Sequence, residues 1–280
     1  MTPVRTVAFV GLGQMGRPMA ANLEKAGFTL RSYDLNGAGN CASAAEAAVG
    51  AEVFLTMLPD GRAVRECVRG AGLPKGMLVL DMSSSDPVGT RSLGDELAAR
   101  GIGLVDAPVS GGVKKAVDGT LAIMAGGDPA LLERVRSMLE KMGGRIFLTG
   151  PLGSGHAMKA LNNYVSAAGM IATAEALVAG ERFGLDPAVM TDILKASSGR
   201  NNTTEVKVKQ FMLSGSFASG FSTGLMVKDV ATAAHLAEAV GASAEFANHC
   251  TEIWRQAAHA LGAGADHTAI YGFVAKRGKP

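Results

Sequence analysis

Short apolar runs alternate with helix-length amphipathic segments through the first half of the chain. Residues 6–10 read as a buried strand, followed by a glycine-rich turn and a helical run over 17–25 that stops at Gly27. A second strand at 29–33 closes on Asp34. The pattern then predicts a helix near 43–49, a strand at 53–57, a helix from 62, a strand at 77–80, a helix at 88–99 and a strand at 103–105. Strands at 120–125 and 145–148 flank a helix at 129–141. Strands alternating with helices imply an α/β, doubly wound parallel sheet. From 156 to 183 one alanine-dense helical pattern runs unbroken, and further helices are expected at 187–196, 203–213, 222–240, 243–261 and 266–276. The expected organisation is a Rossmann-type domain over 1–155, then an all-helical substrate and oligomerisation domain over 156–280, joined by the long helix.

Composition narrows the partners. A net charge of +2 gives no reason to expect nucleic acid or an anionic membrane surface. Three cysteines without metal-ligand spacing fit a reducing, cytoplasmic compartment. The start of the chain carries no signal-peptide pattern, and the most apolar stretch, 165–180, includes Ser166, Thr173 and Glu175, so it reads as a buried helix.

The first candidate chemistry is Gly11-Leu12-Gly13-Gln14-Met15-Gly16, set between strand and helix, with Asp34 eighteen positions past the third glycine. This context is what a dinucleotide site requires. Gly11 permits the turn, Gly13 admits a pyrophosphate to the backbone, and Gly16 lets helix and strand pack closely. The helix N-terminus then offers unpaired N–H groups and partial positive charge to the phosphates. Asp34 would accept ribose hydroxyls and repel a 2′-phosphate, which favours NAD over NADP. The bland reading is a glycine turn beside a surface aspartate.

Ligands in such sheets lie outside the carboxyl ends of the strands. Leu58 and Pro59 leave one such end, and Ser83-Ser84-Ser85-Asp86-Pro87 leaves another. Helix capping and cofactor contact fit Ser84 equally. Ser110, Gly111 and Gly112 form either a plain turn or a small neutral cradle for a carboxylate. Beyond them, Gly153-Ser154-Gly155 opens the long helix, and Lys159 and Asn163 stack on one of its faces, four residues apart. A lysine of pKa about 10.4 is a poor base at neutral pH. Desolvation, a positive nicotinamide and the positive end of its own helix would each lower it. The histidines lack a metal-site arrangement, and no metal is expected. His156 could tune the surroundings of Lys159 or cap the helix.

These blocks together resemble the β-hydroxyacid dehydrogenases, most closely the 3-hydroxyisobutyrate branch. Four blocks match in order: Gly11 to Gly16 with Met19-Ala20 and Asn22-Leu23; Asp106 to Gly112, continuing to Gly119-Thr120-Leu121; Gly153 to Asn163; and Lys228-Asp229. The resemblance implies Lys159 as catalytic acid/base, Asn163 as the residue orienting substrate, and Ser110, Gly111 and Gly112 as the carboxylate cradle. It further implies cofactor contacts from Ser84, in place of the family's threonine, and from Lys228, with Phe221 lining the pocket. The implied reaction is hydride transfer between a small 3-hydroxy acid and NAD in a homodimer or homotetramer. Asn201-Asn202-Thr203-Thr204-Glu205 departs from the branch's Cys-Trp-Ser-Ser-Asp-like run, which suggests a more polar substrate tail. Tartronate semialdehyde reductase and threonate-type dehydrogenase share the same blocks. A non-catalytic nucleotide-binding module is the reading from another class, against which the retained lysine argues.

Overall fold

The computed structural model describes residues 4–277, divided by internal contacts into two units, Met1–Lys159 and Ala160–Pro280. In the first unit β1 (Thr6–Val10), α1 (Gly16–Lys25), β2 (Thr29–Tyr33), α2 (Ala44–Ala48), β3 (Val53–Thr56), α3 (Gly61–Gly70), β4 (Leu78–Asp81), α4 (Pro87–Ala98) and β5 (Gly103–Asp106) alternate as the pattern predicts. Then come β6 (Val109–Ser110), α5 (Gly112–Val117), β7 (Leu121–Gly126), α6 (Pro129–Met142) and β8 (Gly143–Gly150).

The sheet order is β2-β1-β3-β4-β5-β7-β6, with β8 on β7. Period-two alternation divides each inner strand between two cores. Val7, Phe9, Val53, Leu55, Leu78 and Leu80 pack on one face, and Ala8, Val10, Phe54 and Val79 on the other. A strand buried on both faces reads as a continuous apolar run, which is why these strands were visible in the sequence. Asp60, Asp86 and Asp128 cap α3, α4 and α6, with proline opening the last two, so the helix starts were legible too.

The sheet is not wholly parallel. β2 through β5 are parallel, but β7 runs antiparallel to β5, meeting it only at Asp106↔Gly126. A parallel return needs a crossover of a dozen or more residues, usually a helix. Here the connection is taken up by β6, which pairs antiparallel with β7, and by the six-residue α5. Neither was anticipated.

Helix α7 (Ser154–Phe183) has 30 residues, about 45 Å. The second unit continues with α8 (Pro187–Ala196), α9 (Asn202–Val206), a π-helical turn at Val208–Leu213, α10 (Thr223–Ala239), α11 (Glu245–Leu261), a 3-10 turn at His267–Ala269 and α12 (Ile270–Lys276). Its core gathers Met170, Leu177, Val208, Met226, Val230 and Ile270 around Trp254. The single helix expected at 203–213 is broken. The Lys207 carbonyl accepts from both Phe211 N at 2.9 Å and Met212 N at 3.2 Å, widening the turn. Val208 and Met212 both stay buried as a result. Among the described residues no helix is long and apolar enough to cross a membrane.

Candidate active site

The parallel strands run 2-1-3-4-5, so the direction of winding reverses between β1 and β3, where ligands of such sheets bind. The Gly11–Gly16 turn leaves β1 at that point. Gly11 has φ +100°, and a Cβ there would lie 2.3 Å from the Met57 carbonyl oxygen. A Cβ on Gly16 would lie 1.9 Å from the Gly11 carbonyl oxygen. Two glycines are thus demanded by the protein's own backbone. Gly13 is not: its Cβ would meet nothing within 4 Å, leaving an open approach to the chain. Gln14 is exposed and Met15 half-buried. Helix α1 begins at Gly16, behind Met15, with no side-chain cap and no acidic residue in its first turn, so no carboxylate of its own offsets the positive end. Arg17 N donates to the Gly13 carbonyl at 3.1 Å and Pro18 has no N–H, which leaves the dipole and the Gly16 end facing an anion.

Asp34 does more than the sequence suggested. Its carboxylate accepts from Leu12 N at 2.7 Å and Asn36 N at 2.8 Å, tying the glycine turn to the end of β2. The Asn36 and Leu12 N–H groups, with Arg17 nearby, hold the carboxyl below the usual range. Each oxygen keeps a lone pair for a ribose hydroxyl.

A row of polar residues closes the next three strands. Thr56, Asp81 and Asp106 are cross-strand neighbours in register at the ends of β3, β4 and β5. Asp81 accepts from Thr56 Oγ1 (2.9 Å), Ser83 N (3.0 Å) and Ser85 Oγ (2.7 Å). Leu58 N donates to Ser83 Oγ at 2.9 Å, joining the loops after β3 and β4; Pro59 continues the first of them. Of the two readings for Ser84, the cap belongs to Asp86, which accepts from Gly89 N at 2.6 Å. Ser84 sits half-buried in the same loop.

Ser110 ends β6, half-buried, while Gly111 (φ +138°) and Gly112 (φ +69°) are exposed at the uncapped start of α5. Positive φ turns this backbone away from the strand in a way that glycine alone adopts readily.

The start of α7 corrects one expectation. Its N-terminal N–H groups are not free to act on Lys159, because buried Asp106 accepts from Gly153 N at 2.7 Å and His156 N at 2.8 Å. A carboxylate there offsets the positive end of the helix. Burial pushes the Asp106 carboxyl up, against the pull of His156 and the two N–H donors. His156 is itself buried, so its backbone is capped while its ring lies between Asp81 and Asp106. Lys159 is half-buried one turn further along.

In the second unit Asn163, buried on the same helix, donates through Nδ2 to Asp229 Oδ2 at 2.5 Å. Asn162 Nδ2 donates to its Oδ1 at 3.1 Å. Lys228 Nζ pairs with Asp229 Oδ1 at 3.0 Å. The Lys228-Asp229 motif is therefore brought onto Asn163 and fixes its amide, a link that spacing did not reveal. Half-buried Phe221 lies edge-on to the His267 ring, 5.3 Å between centroids. His267 itself is buried, taking a hydrogen bond from Lys207 Nζ at 3.1 Å. Burial drives its imidazole down to about 4 and the Lys207 ammonium down to about 8.

Among the described residues no three His, Cys, Asp or Glu side chains gather as a metal site. A cleft of about 720 Å³ beside α6 and β8, lined by Leu132, Leu139, Ile146 and Leu152, contains none of the candidate site residues.

A backbone-locked glycine turn, an uncapped helix start and a carboxylate closing the second strand define a dinucleotide-binding domain of the Rossmann class. Two family models match. One, the NAD-binding domain of 6-phosphogluconate dehydrogenase, covers residues 6–150. The other, NAD-binding of NADP-dependent 3-hydroxyisobutyrate dehydrogenase, covers residues 153–274. A 3-hydroxyisobutyrate dehydrogenase of Pseudomonas aeruginosa is 41% identical over 261 residues, 85% of this chain and 87% of its own. A 2-(hydroxymethyl)glutarate dehydrogenase of Eubacterium barkeri is 38% identical over 242 residues, 81% of this chain and 80% of its own. The structure of a Mycobacterium tuberculosis 3-hydroxyisobutyrate dehydrogenase with L-serine superposes with a TM-score of 0.88 at 37% identity, over 97% of this chain and 99% of that one. The chain belongs to the 3-hydroxyisobutyrate dehydrogenase family of NAD(P)-binding oxidoreductases.

Proposed function

We propose that this protein is a dehydrogenase of small primary 3-hydroxy acids that uses NAD in preference to NADP, with Lys159 as general acid/base. The observation that carries the reading is on α7, where Lys159 is followed one turn later by Asn163, whose amide is held by Asp229. A lysine at fixed helical spacing from an oriented amide is a suitable pair to move a proton at a hydroxyl and hold that hydroxyl in line.

The molecules in the relatives' names narrow the substrate class. 3-Hydroxyisobutyrate, 2-(hydroxymethyl)glutarate and L-serine all share the skeleton HOCH2–CH(R)–COO⁻ and differ only in R. In this reading Ser110 and the N–H groups of Gly111 and Gly112 hold the carboxylate. The Lys159 amine takes the hydroxyl proton during oxidation and returns it during reduction. Asn163 orients the substrate, Lys228 approaches the cofactor and Phe221 lines the pocket. The nicotinamide, when bound, supplies the hydride acceptor. Gly11 to Gly16, Asp34, Leu58, Pro59 and Ser84 form the cofactor side, and Asp34 disfavours a 2′-phosphate by charge.

The polar run after Arg200 does not by itself argue for a polar R group. Asn201 and Thr204 form a reciprocal capping box on α9, and Asn201 Nδ2 also donates to Thr173 Oγ1 at 3.1 Å. Exposed Phe183, Leu185, Val189 and Ile193 fit a homo-oligomer, and the free cysteines fit a reducing cytoplasm. The test is NADH formation at alkaline pH over a panel of HOCH2–CH(R)–COO⁻ acids, with NAD and with NADP, for the parent and Lys159→Ala. We expect turnover with NAD to fall by roughly 10³-fold or more in the variant, as loss of a principal acid/base group does. Unchanged turnover in Lys159→Ala would overturn the mechanism, and a preference for NADP would overturn the role of Asp34.

A further inference from the structure

The first turn of α7 is fitted against the sheet as closely as glycine allows. A Cβ on Gly155 would lie 2.2 Å from the Met124 carbonyl oxygen and 2.8 Å from Asp106 Oδ2. One on Gly126 would lie 2.7 Å from Asp106 Oδ1 and 2.9 Å from Gly155 N. One on Gly153 would lie 2.9 Å from the Pro87 carbonyl oxygen. The His156 imidazole is inserted into this joint. Its Nδ1 is 2.8 Å from Thr90 Oγ1 and 3.8 Å from Asp106 Oδ2, while Nε2 is 3.6 Å from Asp81 Oδ2. Nε2 is fully buried and has no hydrogen-bond partner among the described residues.

Hydrogen bonding of the two carboxylates does not by itself require a polar ring here. Asp106 has its two backbone donors, and Asp81 has Thr56, Ser83 and Ser85. Neither carboxylate depends on the imidazole for a partner. An apolar side chain of similar volume would avoid burying another polar group, and such replacements are often neutral or stabilising. What the ring does is bridge three elements, touching Thr90 on α4, Asp81 on β4 and Asp106 on β5, from a position three residues before Lys159. We propose that His156 is a positioning residue for Lys159: held among Thr90, Asp81 and Asp106, it sets the seating of the first turn of α7 and hence the place of the lysine amine. The inference rests on Lys159 being the acid/base. A displacement of about 1 Å at a reacting group can lower turnover roughly 10²-fold, so a small reseating is measurable.

The experiment compares His156→Leu, which keeps volume, with His156→Gln, which keeps a polar head, alongside Thr90→Val and Lys159→Ala. For each variant kcat and KM for the hydroxy acid are measured with saturating cofactor, together with the thermal midpoint of the free protein. We expect His156→Leu to lose about 10-fold or more in kcat with KM within about 3-fold and the midpoint nearly unchanged. His156→Gln should recover most of the loss, and Thr90→Val should fall in the same direction by less. Parent-like kcat in a folded His156→Leu, or an equal loss in His156→Gln, would sink the proposal. If His156→Leu does not fold, Thr90→Val decides by the same split between kcat and KM. Lys159→Ala separates the two claims: if it abolishes turnover while the other variants are silent, only the positioning role fails.

Discussion

The two units hold their buried carboxylates by different means. In the first, Asp106 is satisfied by backbone N–H groups, and Asp81 by one N–H and two hydroxyls, all at strand ends. In the second, Asp229 on α10 is held by the side chains of Asn163 and Lys228. Backbone donors cannot be exchanged by substitution, so the hold on Asp106 is set by the fold. Side-chain donors can be exchanged one at a time. The cap on Asp106 is thus anchored by main chain, while the holds on Asp81 and Asp229 rest largely on side chains that can vary.

The largest expected effect tests that contrast directly. Asp106→Ala leaves two buried N–H groups unpaired and should cost roughly 3–5 kcal/mol, read as a loss of chemical-denaturation stability. Asp229→Ala removes only side-chain partners, so it should cost less in stability but lower kcat/KM by freeing the Asn163 amide. Equal destabilisation by the two would erase the distinction.

A second test uses acid. His267 titrates at about 4 in the folded protein against a reference of 6.5. The unfolded chain therefore binds the extra proton first, and the contribution is complete above pH 6.5 and lost as pH falls toward 4. The loss is on the order of 3 kcal/mol over that window. Thermal melts of the parent across it should steepen toward acid, and His267→Gln should flatten them; identical slopes would show that the ring is not the sensor.

The smallest effect lies within the first unit. Gly16→Ala forces a Cβ onto the Gly11 carbonyl and should destabilise the free protein by about 1–3 kcal/mol. Gly13→Ala meets nothing, so its free-protein stability should be unchanged while NADH affinity, followed by fluorescence titration, falls. If Gly13→Ala binds NADH as tightly as the parent, the pyrophosphate does not approach there.

What the sequence revealed follows the same divide. β1 to β5 were legible because burial on both faces makes them apolar runs and Asp-Pro pairs announce the helix starts at Pro87 and Pro129. The glycine turn, Asp34, Lys159 and Asn163 could be singled out as candidates because their spacing is local. The antiparallel β7 was not, since strand direction depends on how the short segment after β5 folds back. The Asp81–His156–Asp106 joint and the Asn163–Asp229 bond also escaped, because each unites residues far apart in the chain. One signal was available: Thr56, Asp81 and Asp106 each end an apolar strand at an interval of 25 residues (81 − 56 = 25; 106 − 81 = 25). The break at Lys207 left no mark, as the flanking residues keep a helical pattern.

The cap that Asp106 places on α7 also orders events in time. Its partners, Gly153 and His156, lie 47 and 50 residues further along the chain. The turn preceding Lys159 therefore cannot be secured until β5 and everything through β8 has been threaded and brought back. Non-local closures of this kind form slowly compared with helix itself. In a refolding experiment most of the helical signal should return first, and the ability to turn over substrate should trail it.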